Sequence, residues 1–122
     1  MKKIVIVDDE TEICENLTEL LKETGYQPFA AYRGSDGYDL ILREKPDLVI
    51  LDIALPDTEG TVIYEQIRKN PEVKNTKVLF LTALAMGAPE EFAGITRANY
   101  SIISKPIRFD SLLREIDRLL KS

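Results

Sequence analysis

The chain has 122 residues, 44% of them hydrophobic and 30% charged, a balance that suits one folded domain with a substantial core and excludes a disordered tail. With 21 acidic against 16 basic residues the formal net charge is −5, which argues against a general affinity for nucleic-acid backbones. Cys14 is the only cysteine, so no internal disulfide forms, and the apolar residues before Asp8 are too few for a signal peptide or a membrane span; a cytoplasmic protein is expected.

Apolar runs of strand length alternate with stretches of helical periodicity, the pattern of parallel strands joined by crossover helices. Ile4-Val5-Ile6-Val7 reads as the first strand and ends in the acidic pair Asp8-Asp9. Ile13, Leu17, Leu20 and Leu21 then recur at helical spacing until Gly25 supplies a stop, with Cys14 among them as a small buried apolar residue. Phe29-Ala30-Ala31-Tyr32 is a weaker strand behind Pro28, whose missing N–H suits a sheet edge. Ser35 or Asp36 caps a second helix carrying Tyr38, Ile41 and Leu42, and Pro46 closes it.

Leu48-Val49-Ile50-Leu51 forms the third strand and ends at Asp52, after which Ala54 to Gly60 make a loop rich in turn formers. A third helix turns Val62, Ile63 and Ile67 inward, and Val78-Leu79-Phe80-Leu81 is the next strand, terminating in Thr82-Ala83. Gly87, Pro89 and Gly94 interrupt any helix between Met86 and Arg97, so the fourth helical element is expected to be short or mobile. Tyr100 to Ser104 is the last strand, leading into Lys105-Pro106, and Asp110 caps a final helix carrying Leu112, Leu113, Ile116, Leu119 and Leu120. The expectation is an α/β fold, a doubly wound parallel sheet of five strands with five helices, as one domain over residues 1–122 with no tethered output domain.

In such a sheet ligands sit beyond the carboxyl ends of the strands, where the strand order reverses. With order 2-1-3-4-5 that point lies between strands one and three, and Asp8-Asp9, Asp52, Thr82 and Lys105 would surround it. Carboxylates sharing a site repel unless a cation or a proton intervenes, and oxygen-only ligands with no His and no paired Cys point to Mg²⁺. Asp9 and Asp52 are candidates to bind the ion directly, with Asp8 holding a coordinated water. Asp52 is also a candidate nucleophile toward phosphorus, with Lys105 and Thr82 reaching the outer phosphoryl oxygens and Ala83 leaving the approach open. Each residue alone has a plain structural explanation in capping, surface exposure or β-propensity. Their joint placement at four strand ends does not.

The acidic pair Asp8-Asp9, the D-x-x-L-P-x-x-x-G string from Asp52 to Gly60, Thr82-Ala83 and Lys105-Pro106 together resemble the receiver domain of two-component response regulators, the flavodoxin-like fold of the bacterial chemotaxis regulator. The resemblance covers the whole chain. It implies that Asp52 accepts a phosphoryl group from a phosphohistidine on a histidine kinase or phosphotransfer protein, or from a small phosphodonor. It implies that Asp9, Asp52 and the main-chain carbonyl of Ala54 ligate Mg²⁺, and that the Lys105-Pro106 bond is cis. Thr82 then swings toward the phosphoryl group and reshapes the face of the fourth and fifth strands and helices for a downstream effector. Such a protein is a switch that assists its own phosphorylation and dephosphorylation rather than an enzyme acting on others. It binds neither nucleic acid nor membrane directly, and a phosphorylation-dependent homodimer is compatible with it.

Two features depart from the family pattern. Ile102 stands three residues before Lys105, where Tyr or Phe is common, and Tyr100 on the same strand face is expected to be a packed edge residue. The second is the interrupted fourth helix, with Arg97 just before Ala98, where Gly is common. A haloacid-dehalogenase-like phosphatase would need a second Asp where Ala54 stands, and a flavodoxin-type cofactor binder would meet repulsion from Asp8-Asp9-Glu10. The alternative kept open is a pseudo-receiver that docks partners without phosphorylation, against which the intact set of Asp9, Asp52, Thr82 and Lys105 argues.

Overall fold

Strands built from unbroken aliphatic runs cannot leave either face in water, and here they form the interior of a parallel sheet covered by helices on both sides. The computed structural model describes residues 1–83 and 100–121. In chain order these carry β1 (Lys3–Val7), α1 (Thr11–Glu23), β2 (Gln27–Ala31), α2 (Gly34–Glu44), β3 (Leu48–Asp52), α3 (Gly60–Lys69), β4 (Lys77–Thr82), β5 (Tyr100–Ser104) and α4 (Phe109–Lys121). The sheet has five strands, all parallel, in the order β2-β1-β3-β4-β5, as the sequence pattern predicts. Four helices lie among the described residues. The expected fourth helical element between Met86 and Arg97 lies outside them, so the final helix is α4 here.

Strand alternation divides the core in two. Val5, Val7, Val49, Leu51, Val78 and Phe80 point toward α2 and α3, where Ile41, Ile63 and Ile67 meet them. Ile4, Ile6, Leu48, Ile50, Leu79 and Leu81 point the other way, onto Leu17 and Leu21 of α1 and Leu112, Ile116 and Leu119 of α4. Every side chain in these two sets is fully buried, so the sheet's register is strongly determined: a slip of one residue would exchange its faces. Gly25 ends α1 at φ 92°, the left-handed conformation that suits glycine just past a helix. No helix among the described residues is long and apolar enough to cross a membrane.

Four local expectations are corrected. Neither Ser35 nor Asp36 caps α2, which begins at Gly34; its first N–H groups, from Gly34 and Ser35, donate instead to Asp57 in the loop after β3, at 2.7 and 3.0 Å. A carboxylate delivered by tertiary structure has displaced the local one. Val62 is 43% exposed, because the inner face of α3 is taken by Gly60, Ile63, Tyr64 and Ile67, which follow the three- and four-residue spacing of one helix side. Asp110 lies in the first turn of α4 rather than ahead of it. Pro28 falls inside β2 and not before it, and the strand is an edge as expected, paired among the described residues only with β1.

Gly60 opens α3 directly over the end of β3. Its N–H donates to the Ile53 carbonyl at 2.7 Å, and a Cβ at this position would run into the main-chain carbonyl of Asp52. Gly60→Ala is therefore expected to lower unfolding stability by about 1–3 kcal/mol, read as a reduced midpoint in urea, and an unchanged midpoint would contradict the close approach.

Candidate functional site

The parallel register of β1 and β3 pairs Val7 with Leu51, so the next residues on the two strands, Asp8 and Asp52, leave the sheet side by side. Asp8 is fully buried and Asp52 is 5% exposed. The Asp8 N–H donates to Ala31 on β2 at 3.1 Å, and Asp8 Oδ1 accepts the N–H of Glu10 at 2.9 Å, turning the chain into α1. Asp52 Oδ1 accepts the Ala54 N–H at 3.2 Å. Two carboxylates thus meet in a poorly hydrated place because two strands keep step.

Lys105 comes from the far side of β4. Its N–H donates to the Thr82 carbonyl at 2.7 Å, its bond to Pro106 is cis, and its Nζ lies 3.2 Å from Asp8 Oδ2, 3.3 Å from Asp52 Oδ2 and 2.9 Å from Glu10 Oε1. One ammonium therefore faces three carboxylates. Burial pushes the Asp52 carboxyl up to about 6, and repulsion from Asp8 adds to this, while Lys105 and the Ala54 N–H offset it only in part. For Lys105 burial works toward neutrality, yet the Glu10 hydrogen bond and the charges of Asp52 and Asp8 outweigh it and hold the ammonium above its usual range.

Asp8, Asp52, Thr82 and Lys105 gather at the strand ends as the sequence predicts, with Thr82 buried at the tip of β4. Asp9 is exposed and stands outside the group formed by Asp8, Glu10 and Asp52, whose carboxylate oxygens come within 4.8 Å of one another. Glu10 is the addition. In the sequence it is one more acid in an anionic stretch; only the turn made by Asp8 Oδ1 brings it back over Lys105. Ala54 is exposed, and Ala83 beside Thr82 is exposed as well. Cys14 donates to the Asp8 carbonyl at 3.2 Å, and burial pushes its thiol up to about 11, so it is a core residue and not a nucleophile.

These residues fit a hard divalent cation. Their donors are carboxylate oxygens, and the fully buried Asp8 Oδ2 receives no well-directed hydrogen bond although Lys105 Nζ lies 3.2 Å away. Among the described residues, three carboxylates share one ammonium here.

On the far side of β4, Tyr100 is 3% exposed, with its ring centroid 6.1 Å from those of Phe80 and Tyr64, edge-on to each. It is a packed residue, as expected, and Ile102 packs partly buried against the same cluster.

The profile of the response regulator receiver domain family matches residues 4–117. Among solved structures, a CheY-like response regulator receiver domain from Methanospirillum hungatei is 30% identical over 99% of this chain and 94% of its own, with a TM-score of 0.86. The response regulator TrrA from Thermotoga maritima, solved in complex with Mg²⁺-BeF, is 32% identical over 98% of this chain and 99% of its own, at a TM-score of 0.81. The signal receiver domain of a signal transduction histidine kinase from Syntrophus aciditrophicus is 27% identical over 99% and 91%, at 0.84.

The charge imbalance has a sign that can be measured. Because the folded-state value of Asp52, about 6, lies above its ordinary 3.8, the cost of ionising it in the fold is absent below the ordinary value and complete above the raised one, so stability falls as pH rises across that window. In chelated buffer Asp52→Asn should melt a few degrees above the wild type near pH ~7.5, with the gap narrowing near pH ~5. A gap equally wide at both would contradict the raised carboxyl.

Proposed function

Since the chain belongs to the response regulator receiver domain family, we propose that it is a Mg²⁺-dependent phosphorylation switch with Asp52 as phosphoacceptor. The observation that carries this reading is the buried pairing of Asp8 with Asp52 under a single shared ammonium, Lys105. Asp52 supplies the nucleophilic oxygen: it bonds to phosphorus as the phosphorus–nitrogen bond of a phosphohistidine breaks, and the imidazole of the donor kinase or phosphotransfer protein leaves. Asp52, the Ala54 main-chain carbonyl and the acids after β1 (Asp8, Asp9 and Glu10) are the groups to hold the ion. When bound, Mg²⁺ neutralises the clustered carboxylates and the incoming phosphoryl oxygens. TrrA in its Mg²⁺-BeF complex supports that assignment by likeness.

Lys105 already touches Asp52 Oδ2, so it can pass to a phosphoryl oxygen attached there by a small displacement while Asp8 and Glu10 keep hold of it. Thr82 has a hydroxyl at the neighbouring strand end and donates to a second phosphoryl oxygen. Exposed Ala83 keeps the approach clear. Rotation of Thr82 would be felt along β4 and β5, where Phe80 pairs with Ile102 and Thr82 with Ser104. With Tyr100 buried, the signal reaches the surface through an aliphatic side chain, Ile102, and the face of β4, β5 and α4 is the one a downstream effector reads. The same reading places the protein in the cytoplasm as a switch and not an enzyme acting on other substrates.

Incubation with a small acyl phosphate and Mg²⁺ should add one phosphoryl mass to the wild type and none to Asp52→Ala. Lys105→Ala should slow labelling by roughly a hundredfold, the scale for losing one charged stabilising donor. Thr82→Ala should label nearly normally while the amide resonances of Tyr100 to Ser104 stop responding. Labelling of Asp52→Ala, or labelling without Mg²⁺, would defeat the reading.

A further inference from the structure

Asp57 sits five positions beyond Asp52 in the loop that leaves β3, yet its carboxylate belongs to a different element. Its two oxygens accept the first N–H groups of α2, Gly34 to Oδ1 at 2.7 Å and Ser35 to Oδ2 at 3.0 Å. Helix N-terminal N–H groups lack partners within the helix and favour negative charge, so this is a strong place for a carboxylate to hold. The two backbone hydrogen bonds keep the Asp57 carboxyl below the usual carboxylate range, Ser35 contributing most and Gly34 next.

The contact is close as well as polar. A Cβ on Gly34 would collide with the Thr58 side chain and come within 2.9 Å of Ile63 Cδ1, so glycine lets the helix start seat against the loop without displacing either side chain. The loop is also closed upon itself. Leu55 N–H donates to the Thr58 carbonyl at 3.2 Å, Gly60 N–H to the Ile53 carbonyl at 2.7 Å, and Ala54 and Glu59 form an isolated bridge. The result is a small hairpin whose base grows from β3 and whose tip is fastened to α2. Ala54 lies in it beside Asp52, and Asp52 Oδ1 accepts its N–H.

We propose that Asp57 is a positioning residue for the phosphorylation site: by clasping the start of α2 it fixes the hairpin that presents the Ala54 main-chain carbonyl, so Mg²⁺ affinity depends on a side chain that touches neither the ion nor Asp52. This rests on the Mg²⁺ site of the proposed function. The structural consequence is that α2 becomes part of the site's support, and a partner pulling on the start of α2 would alter the ion site through the same clasp.

The test compares Asp57→Ala, Asp57→Asn and Gly25→Ala. The last strains the left-handed turn after α1 and serves as a control for lost stability without touching the loop. Mg²⁺ titration by calorimetry should show Asp57→Ala binding about tenfold more weakly than the wild type, the lower end of the loss seen when support behind a metal ligand is removed. Asp57→Asn retains one acceptor oxygen and should recover most of that loss, and Gly25→Ala should bind as the wild type does. Without metal, amide exchange at Ala54 and Leu55 should quicken in Asp57→Ala alone. If wild type and Asp57→Ala bind Mg²⁺ equally, the clasp is overturned and the ion site stands; if the wild type binds no Mg²⁺, the ion site falls and takes the clasp with it.

Discussion

Two carboxylates that would repel each other are forced together because β1 and β3 run parallel, adjacent and in register. Val7 opposite Leu51 leaves no freedom in where Asp8 and Asp52 emerge, and the fully buried side chains on both faces of these strands prevent a slip that would separate them. The repulsion is thus held in place by the hydrophobic core, far from where it is felt. Lys105 tempers it without cancelling it, since one ammonium is shared among Asp8, Asp52 and Glu10. Whatever reduces that imbalance, a proton, a cation or a neutralising substitution, acts on the whole fold through the same strands.

The sheet also decides how a change at this site can travel. β4 lies between Asp52 on β3 and Lys105 after β5, so Thr82 at its tip borders both. Beneath it Phe80, Tyr64 and Tyr100 form a tilted and edge-on aromatic cluster, and Arg68 lies 4.5 Å over the Tyr64 ring while donating to the carbonyls of Lys74 and Thr76. This packing braces the lower part of β4 and β5. It also explains why Tyr100 does not take the place of the aromatic residue common three positions before the lysine: its ring is already committed to the core. Ile102 is left as the half-buried side chain on that face.

Loops beyond the strands are tied to the frame in unequal ways. The turn after β1 is closed by Asp8 itself, whose Oδ1 bonds the Glu10 N–H, whereas the hairpin after β3 closes on its own backbone and is tied through Asp57 to another element. The Asp57 carboxylate thereby links the loop after β3 to the start of α2, beside the packing of Ile53 and Leu55 against the core. Gly34 and Gly60 permit this, one by letting helix and loop touch and the other by letting α3 begin against the Asp52 carbonyl.

Hydrophobic patterning located the strands and helices, and the unbroken apolar runs called for a sheet covered on both faces; taken with the doubly wound order 2-1-3-4-5, the places where those runs stop brought Asp8, Asp52, Thr82 and Lys105 to one edge. Other features belong to the tertiary structure alone. Ser35 and Asp36 are residue types suited to capping α2, but the helix begins at Gly34 and Asp57, 23 residues beyond it, accepts the first N–H groups instead. Val62 has the right character for the core and the wrong angle around α3, and Glu10 finds Lys105 across a sequence separation of 95. Burial periodicity is a property of one segment and can be read there; a hydrogen bond or ion pair between polar groups carries no such period, so its partners exist only once the packed strands have placed them.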